Sequence, residues 1–373
     1  MPTQPFLSVS RRTRATPFTK RVEENGVSAY TVYNHMLLPT VFESVEADYH
    51  HLKKHVQIWD VSCERQVEVK GPDAAQLIQL VTPRSLAKMK DDQCYYIPMV
   101  NEHGGMINDP VAIKIADDRF WVSLADSDMK YWLSGLAIGK GLNVDVFEPD
   151  VSPLGIQGPK SDDLMADVVG DSIRDLGFFR HRQFKIGGKN YLIARSGWSK
   201  QGGFEIYLDG TENGLELWDI LFEAGEKYNI RAGCPNGIER IESGLLSYGN
   251  DMTEENSPYE CGLGKFCHRS AMEICIGGNK LLAEKKAGPK QIIRGITIDG
   301  ERAPSCTIPW PLMNENRDKV GQVKASEWSP DYGSNLAVAM VDKAHWDFGT
   351  QLTVETQDGP REALVAPFPF DPL

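Results

Sequence analysis

Arg65-Gln66-Val67-Glu68-Val69-Lys70-Gly71-Pro72 sets apolar residues between polar ones and then halts at a Gly-Pro pair. Alternation of this kind marks a half-buried strand, and Gly-Pro ends it in a turn. Directly behind, Asp73 to Val81 carries Ala74, Leu77 and Leu80 at helical spacing, which predicts a helix. Strand, tight turn and helix thus follow one another without a linker, so the chain mixes helices with strands.

Working outward, Leu154-Gly155-Ile156-Gln157-Gly158-Pro159 has the same design, with a helix expected from Lys160 to Val168. The parallel hints at a duplicated strand-turn-helix unit. Between the two, Val111 to Ile115 and Phe120 to Leu124 flank Asp117-Asp118 and read as a hairpin. Ser127 to Ile138, Thr211 to Ala224 and Cys234 to Tyr248 read as helices. Beyond Gln291 the pattern changes to short strands: Ile292 to Ile298, Val320 to Lys324, Leu336 to Val341 and Gln351 to Val354. That predicts a small C-terminal β-barrel, with the Lys-rich segment Ala283 to Pro289 as the linker. The expected division is residues 1–285, as two intertwined α+β subdomains, and residues 290–373 as the barrel.

Length and composition bound the function. A chain of 373 residues with 41% apolar and 25% charged residues is too long for one ordinary core and has globular composition. No apolar run approaches the roughly 20 residues that cross a bilayer, so no membrane partner is expected. Met1 to Arg21 is basic and polar, lacks the apolar core of a signal peptide, and is read as part of the mature protein. A formal charge of -12 without a basic tail argues against nucleic acid. Seven cysteines without regular spacing or a C-x-x-C fit reduced thiols in the cytoplasm. Walker, dinucleotide and hydrolase-elbow motifs are absent. His51 and His55 stand four apart but lack a third ligand, so no metal is expected and a solvated helix face is the simpler reading.

Two segments could carry chemistry. Asn101-Glu102-His103-Gly104-Gly105-Met106-Ile107-Asn108-Asp109-Pro110 permits a tight turn and leaves Asp109 as a fixed carboxylate at its exit. By spacing alone it is a hairpin turn. In Arg195-Ser196-Gly197-Trp198-Ser199-Lys200-Gln201-Gly202-Gly203-Phe204-Glu205-Ile206-Tyr207, a Gly-rich loop enters a strand with Glu205 and Tyr207 on one face. A carboxylate beside a ring suits a flat, hydrogen-bonding heterocycle, and an ordinary exposed strand face fits equally well. Aromatics in loop-like settings, Phe18, Tyr30, Tyr33, Tyr95, Tyr96, Phe178, Phe179 and Trp198, could face a cation that donates no hydrogen bond; singly each reads as core.

These segments occur in order with Arg240-Ile241-Glu242-Ser243-Gly244, Tyr248-Gly249-Asn250-Asp251 and Pro258-Tyr259-Glu260-Cys261-Gly262-Leu263. Together they resemble the folate-binding aminomethyltransferase family typified by the glycine cleavage T-protein, over nearly the whole chain. Further runs, Ser10 to Arg12, Thr16 to Thr19, Ala29 to Pro39, His55 to Val61 and Ile193 to Gly203, resemble a branch that demethylates a small sulfonium carboxylate. Ser196 to Gln201 stands where the T-protein usually has Thr-Gly-Tyr-Thr-Gly-Glu, and Asn236-Gly237 replaces its usual Arg-Asp. Both departures point away from an aminomethyl-lipoyl substrate.

The resemblance implies a multi-domain, ring-like aminomethyltransferase-type fold with a C-terminal barrel. It also implies tetrahydrofolate as co-substrate, a small-molecule sulfonium substrate, a homodimer and no lipoyl carrier protein. By resemblance, Glu205 binds the pterin edge, Tyr207 lines its face, and Asp109 lies near the reacting nitrogen as the catalytic residue. Tyr96 and Ser123 complete the folate set, and Phe18, Tyr33 and Trp198 are the aromatics assigned to the sulfonium. The competing expectations are an aminomethyltransferase proper, another small methyl donor such as a betaine or an O-methyl aromatic acid, and a folate-binding regulator on the same fold.

Overall fold

The computed structural model describes residues 9–370, so the first eight residues of the basic N-terminal segment lie outside the described residues. The chain divides into two compact units, each assembled from separate stretches. The first comprises residues 1–67, 92–94 and 147–236; the second comprises residues 68–91, 95–146 and 237–373.

The first unit is built on a six-stranded sheet. Its order is His181–Ile186, Lys189–Ala194, Gly203–Asp209, Val151–Gln157, Val56–Asp60 and Ile230–Gly233. One face packs on the helices Ser161–Val169 and Gly214–Gly225 through Ile58, Ile156, Leu164, Phe204, Ile206, Leu217 and Trp218, all buried. Most residues of a five-stranded sheet fall in the second unit, in the order Asp145–Phe147, Gln66–Lys70, Arg119–Ser123, Val111–Ala116 and Cys94–Tyr96.

The duplication hinted at by the two Gly-Pro segments extends to topology. In each sheet the Gly-Pro strand lies beside the second strand of a hairpin, the hairpin's first strand comes next, and a further strand follows. Both glycines adopt left-handed φ, +140° at Gly71 and +122° at Gly158. A Cβ there would stand 2.5 Å from the Asn143 carbonyl oxygen and 2.3 Å from that of His55. Backbone occupies the space in both copies, so only glycine fits. The turns close identically, Ala74 N donating to Gly71 O and Ser161 N to Gly158 O, each at 3.0 Å.

The second unit also contains the C-terminal barrel. It is closed, and its strand order is Gln291–Ile298, Ser334–Asp342, Lys319–Ser329, Trp310–Met313, Gln351–Thr356 and Gly359–Ala366. Ile296, Trp310, Leu312, Val323, Ala339 and Val354 fill it. The sequence pattern misses two of these strands, Trp310–Met313 and Gly359–Ala366. The first holds a proline and the second opens on Gly-Pro-Arg-Glu, so neither reads as an apolar run.

Three other expectations change. The helix expected over Cys234 to Tyr248 is only Gly237–Ser243, because Gly244 turns left-handed at φ +68° and abuts Pro369. The Lys-rich segment expected as a linker is helical, forming the end of the helix Gly278–Ala287, which stops at Gly288. His51 is buried, not solvated: its Nε2–H donates to the Asn229 carbonyl at 2.9 Å, and burial lowers its pKa to about 4.

Candidate functional site

In the first unit the candidate residues sit on one strand and the loop that feeds it. Along Gly203–Asp209, Phe204, Ile206 and Leu208 enter the core, so pleating turns Glu205 and Tyr207 to the opposite face. Glu205 is buried and accepts from the Ser196 hydroxyl and, at 3.2 Å, from the Tyr207 phenol. Both donors reach Oε2; among the described residues Oε1 has no hydrogen-bond partner. Burial without a cation in hydrogen-bond contact raises the carboxyl above its ordinary range, and burial raises Tyr207 well above the usual phenol.

The Gly-rich loop is wrapped around Gln157. Its Nε2 donates to the Ser196 carbonyl at 3.2 Å, and its Oε1 accepts from Ser199 Oγ at 2.8 Å. A Cβ on Gly197 would lie 2.0 Å from Gln157 Nε2, which explains the glycine at that turn. Trp198, half-buried, is carried on this loop. Tyr33 ends the strand Ala29–Tyr33, whose two-residue turn Asn34-His35 has positive φ at both positions. It too is half-buried. Phe18 lies inside the hydrophobic core with no exposed surface, its ring 6.2 Å from that of Trp218.

The second unit holds Tyr96, Asp109 and Ser123. Met99–Val100 pairs with Met106–Asn108, and Asn101 Oδ1 closes the turn by accepting from the amides of His103 and Gly105. The hairpin expected from spacing is therefore real, and it delivers Asp109 into a buried position at its end. Tyr96 OH donates to Asp109 Oδ2 at 2.8 Å. Burial pushes the Asp109 carboxyl up to about 7; the Tyr96 hydrogen bond opposes the shift and the charge of Asp251 adds to it. Arg84 fixes Tyr96 by donating to its carbonyl at 2.7 Å and stacking over Tyr95 and Phe266. Ser123, buried, ends the strand Arg119–Ser123, and Asn108 binds the loop behind it through Ala125 and Ser127.

Glu205 and Tyr207 thus share the face expected of them, and Asp109 is joined to Tyr96. Sequence reasoning gave no role to Ser196 or Gln157, which organise the loop. It also missed Asp251, fully buried and paired with Arg240 at 2.6 Å; among the described residues the Asp251 Oδ1 has no hydrogen-bond partner. The Tyr-Gly-Asn-Asp segment was the available signal for Asp251.

Comparison with known proteins places these features in a family. The GCVT N-terminal domain matches residues 18–271, and the glycine cleavage T-protein C-terminal barrel domain matches residues 293–371. A dimethylsulfoniopropionate demethylase of Ruegeria pomeroyi is 56% identical over 95% of this chain and 97% of its own length. An aminomethyltransferase of Caldanaerobacter subterraneus is 28% identical over 88% of each chain. The crystal structure of the glycine cleavage system aminomethyltransferase T from Bartonella henselae superposes with a TM-score of 0.84, covering 96% of this chain and 98% of that one at 22% identity.

Proposed function

The chain belongs to the glycine cleavage T-protein family, and on that premise we propose that it demethylates dimethylsulfoniopropionate with tetrahydrofolate as methyl acceptor. The products are 5-methyltetrahydrofolate, 3-(methylthio)propanoate and a proton. The observation that carries this is the 56% identity to a demethylase along 97% of that protein, against 28% to an aminomethyltransferase.

The chain's residues fit a reduced pterin. Glu205 leaves Oε1 open, on a strand face it shares with the Tyr207 ring, and an acceptor of that kind matches the donor edge of the heterocycle. Tyr96, Asp109 and Ser123 complete the proposed folate set. Bound tetrahydrofolate supplies the nucleophilic nitrogen that receives the methyl group.

Sulfonium chemistry asks little covalent help of the protein, because the leaving group departs as a neutral thioether. Holding donor carbon, sulfur and nitrogen in line is worth ~7–11 kcal/mol. Tyr33 and Trp198, both half-buried, are the aromatics proposed for the sulfonium, whereas Phe18, the third expected from the sequence, is occupied in the core beside Trp218. The favourable contact of aromatic faces fades as positive charge leaves sulfur. Asp109 acts at the other end. Its carboxylate stabilises positive charge arriving on nitrogen, and a pKa of about 7 suits it to accept the proton the nitrogen sheds.

The proposal extends to a cytoplasmic homodimer that needs no lipoyl carrier, with a folate-binding region over residues 1–285 and the barrel over residues 290–373. Seven free thiols, six of them buried, support the reducing compartment. A donor panel tests the function: dimethylsulfoniopropionate, a betaine, an O-methyl aromatic acid and an aminomethyl-lipoyl carrier, each with tetrahydrofolate. The sulfonium is expected to give the highest kcat/KM; a higher value for any other donor overturns the proposal.

A further inference from the structure

The strand Lys319–Ser329 pairs with Ser334–Asp342, and its register slips between Val323 and Ala325. Lys324 is the extra residue of a bulge, a device that redirects a side chain and often borders a functional site. Val323 faces the barrel core, and Ala325 packs outside it near Ile241, Leu336 and Phe370. Lys324 is half-buried, and burial pushes its ammonium below the ordinary lysine range.

Among the described residues, no hydrogen bond or ion pair reaches the Lys324 side chain. Two acids act on it from farther away: Glu255, which is exposed, and Asp251, already matched by the guanidinium of Arg240. A cation partly withdrawn from water with no partner at contact distance is costly, and an arriving anion offsets that cost. Such a position suits a ligand rather than a structural pair.

We propose that Lys324 holds a carboxylate of a bound ligand. This rests on the demethylase reading only for the identity of the ligand, since both co-substrates named there carry a carboxylate: the propionate of the sulfonium and the glutamyl group of the folate. The ammonium donates to the carboxylate oxygen in a charge-assisted hydrogen bond.

The test is calorimetric titration of Lys324→Met and Lys324→Arg with tetrahydrofolate, a glutamate-free tetrahydropterin and dimethylsulfoniopropionate. Lys324→Met is expected to weaken one carboxylate ligand about tenfold, with Lys324→Arg within about threefold of wild type. A loss for tetrahydrofolate that the glutamate-free pterin does not share assigns the folate glutamate. A loss confined to dimethylsulfoniopropionate assigns the propionate. Unchanged binding of both carboxylate ligands by folded Lys324→Met, an equal loss for the glutamate-free pterin, or wild-type protein that binds neither carboxylate ligand overturns the proposal. Wild-type protein that binds these ligands yet transfers no methyl refutes the demethylase reading alone.

Discussion

Tyr96 and Asp109 form an acid–phenol pair in which the phenol donates to Oδ2 at 2.8 Å while burial holds the carboxyl pKa near 7. The two residues come from different strand ends, Cys94–Tyr96 and the exit of Met106–Asn108. An aspartate near neutrality can carry charge or a proton within one turnover.

That pairing fixes a pH dependence. Turnover is expected to rise with pH through about 7 as Asp109 ionises. Tyr96→Phe removes the hydrogen bond that lowers the Asp109 pKa, so the rising limb moves to higher pH. Asp109→Asn is expected to lose the limb and roughly 10²–10³ in kcat, with a smaller change in folate affinity. A pH–rate profile settles this, and an unaltered limb in Asp109→Asn removes the residue from the mechanism.

The same shift has a stability cost whose sign can be worked out. The folded pKa of about 7 lies above the unfolded value of roughly 3.9. Between those values the folded state binds more protons, so stability falls as pH rises from about 4 to 7. Asp109→Asn is expected to melt higher than wild type at pH 8, with the gap closing toward pH 4. Melting curves with a gap independent of pH would contradict the assignment.

Glu205→Gln keeps the shape of the side chain but turns one acceptor into a donor. Folate affinity is expected to fall about tenfold or more, and Ser196→Ala to fall less, because Tyr207 still reaches the carboxyl. Fluorescence titration with tetrahydrofolate reads both. Normal affinity in Glu205→Gln removes the pterin-edge role.

Trp198→Ala and Tyr33→Ala are expected to raise KM for the sulfonium roughly three- to thirtyfold, the range of a desolvated cation–π contact. Folate affinity should stay near wild type. Normal saturation by the donor in both variants sinks the aromatic assignment.

Much of this was legible before the structure because it is local. The two Gly-Pro turns, the hairpin before Asp109 and the pleating that puts Glu205 beside Tyr207 all follow from neighbours in sequence. What stayed hidden depends on distant partners. Ser196 lies nine residues before Glu205, and only the fold of the loop around Gln157 brings its hydroxyl to the carboxyl. Asp251 acquires its importance from Arg240 and from complete burial, and Lys324 from a slip in strand register. The strand Trp310–Met313 was missed because barrel closure overrides its proline.

The most direct measurement uses dimethylsulfoniopropionate with both sulfonium methyls deuterated, incubated with purified protein and tetrahydrofolate. Mass spectrometry is expected to find one labelled methyl on folate N5 and the other on 3-(methylthio)propanoate, in equal amounts. Recovery of intact labelled donor, while an aminomethyl-lipoyl carrier is consumed in parallel, would contradict methyl transfer from sulfur as the activity of this protein.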